Sequence, residues 1–455
     1  GYLVEGIQGK LSDNTFLDED HLIATAKHFI GDGGTIDGRD QGDNISSEED
    51  LRDIQGAGYP VAINRGVQSV MASFNSWHGR KMHDYKELLD DVLVDQMGFD
   101  GFVIGDWNGH GQVEGCTNVS CASSFNNGLD MFMAPDSWRG LYLNTLAQVE
   151  SGEISMARLD QAIGRILRVK IRAGLFEAGL PSERKYAGRF DLLAAPEHRA
   201  LARKAVRQSL VLIKNANQLL PLSPSANILV AGDGADNLSK QTGGWTLSWQ
   251  GTGNSPEHFP DAVSIFDGIH EQVKAAGGTA ILSPEGEYKT KPDVAVVVFG
   301  ENPYAEFQGD RAHLDFRSEE GLRLLKKFKS EGIATVAIFI SGRPMWVNPE
   351  LNASDAFVAA WLPGTEGAGI ADVLLRNASG DIQFDFHGKL SFSWPRTAVQ
   401  TAVNLGDEDY NPLFAYGYGL GYARLSFSLA DVDHTLAITP FRPYGVLGCF
   451  SVKLA

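Results

Sequence analysis

Short apolar runs ending in Gly, Asp or Asn alternate with stretches of helical period along most of this chain, and that alternation leaves few folds open. Ile23–Phe29, Gln68–Phe74, Phe99–Gly105 and Gly128–Met133 are short and largely apolar, as strands covered on both faces of a parallel sheet read. Between them, Ser46-x-x-Glu49 reads as a capping box opening a helix near Glu48. Lys86–Met97 carries Leu89, Val92, Leu93 and Met97 on one face and is closed by Gly98. Met156–Ala173 repeats the pattern, with Leu159, Ile163, Ile166, Leu167 and Ile171 expected to face the core. Strand, helix, strand in this order builds a parallel sheet with helical crossovers, so the expected class is α/β.

Residues 174–196 break the rhythm with Gly, Pro and charge, and read as a linker (176–196) after a first domain of residues 1–175. A helix over Glu197–Lys214 then opens a second α/β series, residues 197–423. Its expected strands are Ile228–Ala231, Thr279–Leu282, Val294–Phe299, Thr335–Ile340 and Phe357–Trp361, with helices over Val263–Ala276 and Glu319–Ser330. Residues 424–455 show neither period and stay unassigned.

Lys and Arg number 39 against 57 Asp and Glu, a net charge of −18. That excess repels phosphate backbones and anionic lipid surfaces, so no nucleic-acid partner is expected, while neutral substrates stay open. No apolar run approaches the roughly 20 residues of a membrane helix. Gly1–Glu5 has neither a basic start, an apolar signal core nor an initiator Met, so processing or truncation upstream is expected. Of three cysteines, Cys116 and Cys121 lie in one polar loop, either as a small disulfide or as two free thiols. Only His110 is near enough to join them, so no metal is expected.

The chemistry gathers where strands end. Gly101-Phe-Val-Ile-Gly-Asp-Trp107 delivers Asp106 and Trp107 into a Gly-rich loop, Asn108–Gly111. In parallel α/β folds, functional groups sit at such ends; a turn-capping Asp is the alternative. Trp107 suits stacking on an apolar ligand face. Lys27 and His28 precede the Gly31–Thr35 turn and are placed to donate to hydroxyls. They share a ligand only if strand regularity fails there, because successive residues point to opposite faces. Met71 is either plain core or part of a sugar pocket. Val298–Asp310 is a second strand emptying into carboxylates, Glu301, Glu306 and Asp310, either a solvated acidic loop or the source of an acid catalyst. In Gly243–Trp249, Trp245 reads as core and Trp249 as a sugar platform. Ile228–Asn237 imitates a dinucleotide fingerprint but has Asn237 where the third glycine belongs, and no cofactor is expected.

Taken together, the motifs resemble glycoside hydrolase family three, in its branch of exo-acting β-glucosidases and β-glucan exohydrolases. The matching segments are Lys27–Thr35, Gly101–Trp107, Arg165–Lys170, Gly243–Trp249, Gly300–Asp310, Ser341-Gly-Arg-Pro344 and Trp361–Gly367. The resemblance implies a partial (β/α)8 TIM-type barrel followed by an α/β sandwich, with the active site between them. It implies Asp106 as nucleophile and Glu306, rather than Glu301, as acid/base. Lys27 and His28 would hold the terminal sugar, and Trp107 and Trp249 would clamp the next one. Gly31-Asp32 departs from the Gly-His of the N-acetylhexosaminidase branch, which argues against an N-acetylglucosamine substrate. Gln41 and Gln112 stand where relatives often have Glu and Arg. The family places further barrel strands upstream of the position of Gly1, with an Asp and an Arg for the terminal sugar.

The expectation is a retaining exo-β-glucosidase, located in the periplasm or secreted. It would act on β-glucan oligosaccharides or aryl and alkyl β-glucosides, with no membrane partner; the sequence leaves the oligomeric state open. The alternative is a catalytically impaired carbohydrate-binding fragment of such an enzyme.

Overall fold

The computed structural model describes residues 1–422, so the 424–455 stretch lies outside the described residues. The chain forms two compact units, the first Gly1–Arg189 and the second starting at Phe190.

The first unit is built on four parallel strands in sequence order: β1 (Thr25–Phe29), β2 (Ser69–Ala72), β3 (Phe102–Trp107) and β4 (Met131–Met133). This is the order of successive staves in a (β/α) barrel wall. Val70, Ala72 and Val103 point to one side of the sheet, where Leu89 and Leu93 of helix α1 (Glu87–Gln96) bury against them. Residues one position along, Met71, Ile104 and Asp106, take the other face by strand alternation; Met71 pairs with Ile104 in register. The helix α1 is wider than expected, with Met97 N–H bonding the Val92 carbonyl five residues back at 2.9 Å. Glu48 does open a helix, but its cap is Ser47, whose hydroxyl accepts from Asp50 N–H at 3.1 Å; Ser46 instead donates to Asn44 Oδ1 at 2.6 Å.

Helices α2 (Trp138–Glu150) and α3 (Met156–Arg172) follow β4. The expected inward stripe of α3 holds only in part: Leu159 packs against a buried cluster and Ile166 is half-buried. Ile163, Leu167 and Ile171 are exposed, and the buried residues are Ala162, Arg165 and Val169. On the inward side, Arg165 and Arg158 converge on the buried Asp130 carboxylate at 3.2 and 2.9 Å.

The second unit is a six-stranded sheet. After helix α4 (Pro196–Ser209) come β5 (Val211–Asn215), β6 (Asn227–Ala231), helix α5 (Ile265–Ala275), β7 (Thr279–Leu282) and β8 (Val294–Gly300). Helix α6 (Glu320–Ser330), β9 (Ala334–Ile340), helix α7 (Asn348–Ala353), β10 (Ala356–Trp361) and helix α8 (Ala368–Leu374) follow. The strand order is β7-β6-β8-β9-β10-β5, parallel except for the β10–β5 pair. Alternate residues of β8 feed two separate cores. Val294, Val296 and Val298 pack with α5 and α8, and Ala295, Val297 and Phe299 with α6 and α7. Both faces are covered, which explains the unbroken apolar runs.

The helix expected over Glu197–Lys214 is shorter. It stops at Ser209, and Val211–Asn215 turns back as the antiparallel edge strand β5. Val-Leu-Ile in a run this short suits either element, and pairing with β10 decides it.

One buried group makes this unit pH-sensitive. Glu350 on α7 is 4% exposed, and burial pushes its carboxyl up to about 7, against the opposing pull of Lys326. A carboxyl raised in the fold contributes full stability below its unfolded value near 4.5, and that contribution is lost as pH climbs through 7. Glu350→Gln is therefore expected to leave Tm unchanged at pH 4 and to raise it by about 5 °C at pH 8, read by scanning calorimetry. A gain of equal size at both pH values would refute this account.

Candidate active site

In the first unit, the loop ends of β1 and β3 bring three sequence-identified residues together. The Asp106 carboxylate, 14% exposed, has Oδ2 3.4 Å from His28 Nε2, and its Oδ1 accepts from Trp107 N–H at 2.7 Å. His28 Nδ1 lies 3.3 Å from Asp32 Oδ2, so the imidazole stands between two carboxylates. The regular alternation of β1 does fail here, because its register against β2 slips between Ala26 and Phe29. Lys27 is exposed and has no hydrogen-bond or ion-pair partner among the described residues. Met71 is only half-buried, between fully buried Val70 and Ala72, on the face that carries Asp106. Trp107 is exposed at the strand mouth.

A further residue, His83, carries no sequence signal. It is fully buried, and its Nε2 accepts from the Asp106 backbone N–H at 2.8 Å. Burial, with His110 nearby, holds its pKa down to about 3, so the ring is neutral and free to accept. Gly109 permits this packing, because a Cβ there would lie 2.4 Å from the ring. No local pattern around Lys81-Met-His-Asp84 announces the role; it arises from the approach of the Asn108–Gly111 loop.

Cys116 and Cys121 form a disulfide. Within the loop it closes, the Asn118 carbonyl lies 3.0 Å from His110 Nε2 and accepts from Ser137 Oγ at 2.8 Å, which ties the loop to the turn following Asp106. Gln112 donates to Gln41 Oε1 at 2.8 Å, so these two departures from the family pattern pair with each other.

In the second unit, the loop after β8 carries Glu306. Its carboxylate accepts from Trp245 Nε1 at 3.1 and 3.0 Å, on both oxygens, and from Trp249 Nε1 at 2.5 Å on Oε2. The two indoles lie 6.4 Å apart between centroids, and Phe307 meets Trp249 edge-on at 6.0 Å. Trp245 is therefore no core residue: it is 68% exposed, against 47% for Trp249. The Gly-rich segment exists for close approach, since a Cβ on Gly244 would stand 1.9 Å from the Tyr304 carbonyl. Glu301 is engaged elsewhere, bonded by Ser341 Oγ at 2.8 Å and Arg343 Nη2 at 2.7 Å. Arg343 also lies 4.5 Å from the centre of the Tyr304 ring, so Ser341–Pro344 braces this loop. Asp310 is exposed.

Fold and site thus define a two-unit α/β protein with a carboxylate at the mouth of a parallel strand in one unit and a tryptophan-held carboxylate in the other. The glycosyl hydrolase family 3 N terminal domain matches residues 1–169, and the family 3 C-terminal domain matches residues 210–422. The chain belongs to glycosyl hydrolase family 3. A mutant of the exo-1,3/1,4-β-glucanase of a Pseudoalteromonas species superimposes with a TM-score of 0.94 and 53% identity, covering 96% of this chain and 70% of that one. The lysosomal β-glucosidase of Dictyostelium discoideum is 29% identical over 93% of this chain and 54% of its own length. The periplasmic β-glucosidase of Salmonella typhimurium is 28% identical over 94% and 61%. The chain thus spans a little over half the length of these curated relatives.

Proposed function

We propose that this chain carries a retaining, exo-acting β-glucosidase activity that releases glucose from the non-reducing ends of β-glucan oligosaccharides and from aryl or alkyl β-glucosides. The observation that carries the reading is the likeness to the exo-1,3/1,4-β-glucanase, at 53% identity across 96% of the chain. The site geometry agrees with it: a mostly buried carboxylate beside a histidine, an exposed lysine on the same strand with no partner among the described residues, and exposed aromatic rings around a second carboxylate.

In this mechanism Asp106 attacks the anomeric carbon as a carboxylate. The bond to the departing oxygen breaks, its electron pair stays on that oxygen, and the Glu306 carboxyl supplies the proton. Glu306, now a carboxylate, takes a proton from water while the water oxygen bonds the anomeric carbon and Asp106 leaves. Lys27 and His28 donate to hydroxyls of the terminal glucose, with Met71 against its face. Trp107 and Trp249 stack on the next sugar, and stacking reads a ring face rather than a linkage. His83 fixes the backbone under Asp106. The Cys116–Cys121 disulfide and the periplasmic relative support a location outside the reducing cytoplasm.

The test is the anomer first released, followed by proton NMR during hydrolysis of an aryl β-glucoside. β-Glucose appearing before mutarotation is expected, and initial α-glucose would overturn the retaining mechanism.

A further inference from the structure

We infer that Trp245 is a positioning residue for the acid/base carboxylate, an inference that rests on the reading of Glu306 given above. Trp245 looks like a surface ring, yet its one polar atom is spent on Glu306, reaching both oxygens at 3.1 and 3.0 Å. Trp249 adds a second indole donor at 2.5 Å, on Oε2 alone. The carboxylate is therefore held asymmetrically. Oε2 takes two donors and Oε1 shares one, so Oε1 is the oxygen left to carry and release the proton.

The surrounding chain serves the same end. Trp245 holds a left-handed backbone, φ 58°, and its N–H bonds the Trp249 carbonyl at 2.9 Å, so the two indoles are set by one turn. Gln250 grips the other side: its amide accepts from Ala305 N–H at 2.7 Å and donates to the Glu306 carbonyl at 3.1 Å. With 68% of Trp245 exposed, burial does not account for a tryptophan here, and its N–H does. A sugar stacked on Trp249 then finds the proton donor at a fixed angle to its bridging oxygen. Orientation of this kind sets how well a general acid works.

Trp245→Phe keeps a ring and removes the donor. The experiment compares two substrates: laminaribiose, whose departing sugar oxygen needs a proton, and 2,4-dinitrophenyl β-glucoside, whose leaving group needs none. Loss of a hydrogen bond to a charged group predicts a fall of about tenfold in kcat/KM for laminaribiose. For the dinitrophenyl glucoside the change should stay within about twofold. The ratio of the two values does not depend on how much of the variant folds. Equal losses on both substrates, or no loss on either, would overturn the positioning role. Glu306→Ala run alongside separates the two claims. If it shows no dependence on the leaving group, the acid/base assignment itself fails. If it does while Trp245→Phe does not, only the role of Trp245 fails.

Discussion

Asp106→Ala is expected to lower kcat on an aryl β-glucoside by on the order of 10⁴-fold or more, with KM changed far less. The size follows from the role proposed for the residue: without the nucleophile the covalent route is closed, and what survives is the contribution of binding and of the remaining catalytic groups. The surroundings make the variant a clean one. Asp106 accepts at its side chain from its neighbour's N–H and faces His28, and its own N–H is held by His83. That last bond is made by the backbone, so alanine retains it. Retention of activity within about tenfold would show that another carboxylate attacks the sugar.

The second large effect is on stability. Asp130 is buried with its oxygens bonded to Arg158 at 2.9 Å, Arg165 at 3.2 Å and the Val103 N–H of β3 at 2.9 Å. Asp130→Ala strips the buried Arg165 of its main counter-charge, leaving Asp90 at 3.3 Å, and orphans a strand N–H. Breaking a buried pair by removing one partner costs about 3–5 kcal/mol. The first unit should therefore unfold at a Tm lower by roughly 10 °C, since each kcal/mol is worth about 2–4 °C at this size. Asp130→Asn keeps an acceptor for Val103 and should lose less. A fall of under about 2 °C for alanine would mean that the arginines find other partners.

Much of the fold was legible because doubly covered parallel strands leave little choice of residue. Val294–Gly300 had to be apolar at every position, and the ends of such strands mark where functional groups emerge. What escaped was decided by tertiary pairing. The edge strand Val211–Asn215 looked like the tail of a helix until β10 paired with it. The stripe Ile163, Leu167, Ile171 had the right period but is exposed, while Arg165 of the same helix is buried against Asp130. The site divides in the same way. Asp106 and Glu306 stood out as carboxylates at the end of one apolar strand and on the loop after another. His83 and Trp245 did not, since one acts by accepting from a backbone N–H and the other by a single indole N–H.

The central claim is a covalent bond between Asp106 and glucose, and trapping it is the most direct measurement. A 2-deoxy-2-fluoro-β-glucoside with a dinitrophenolate leaving group slows both chemical steps but favours the first, so the intermediate accumulates. Mass mapping of the digested protein should find one glycosyl adduct per chain, on the peptide containing Asp106. An adduct on any other side chain, or none in protein that turns over the unfluorinated glucoside, would contradict the account.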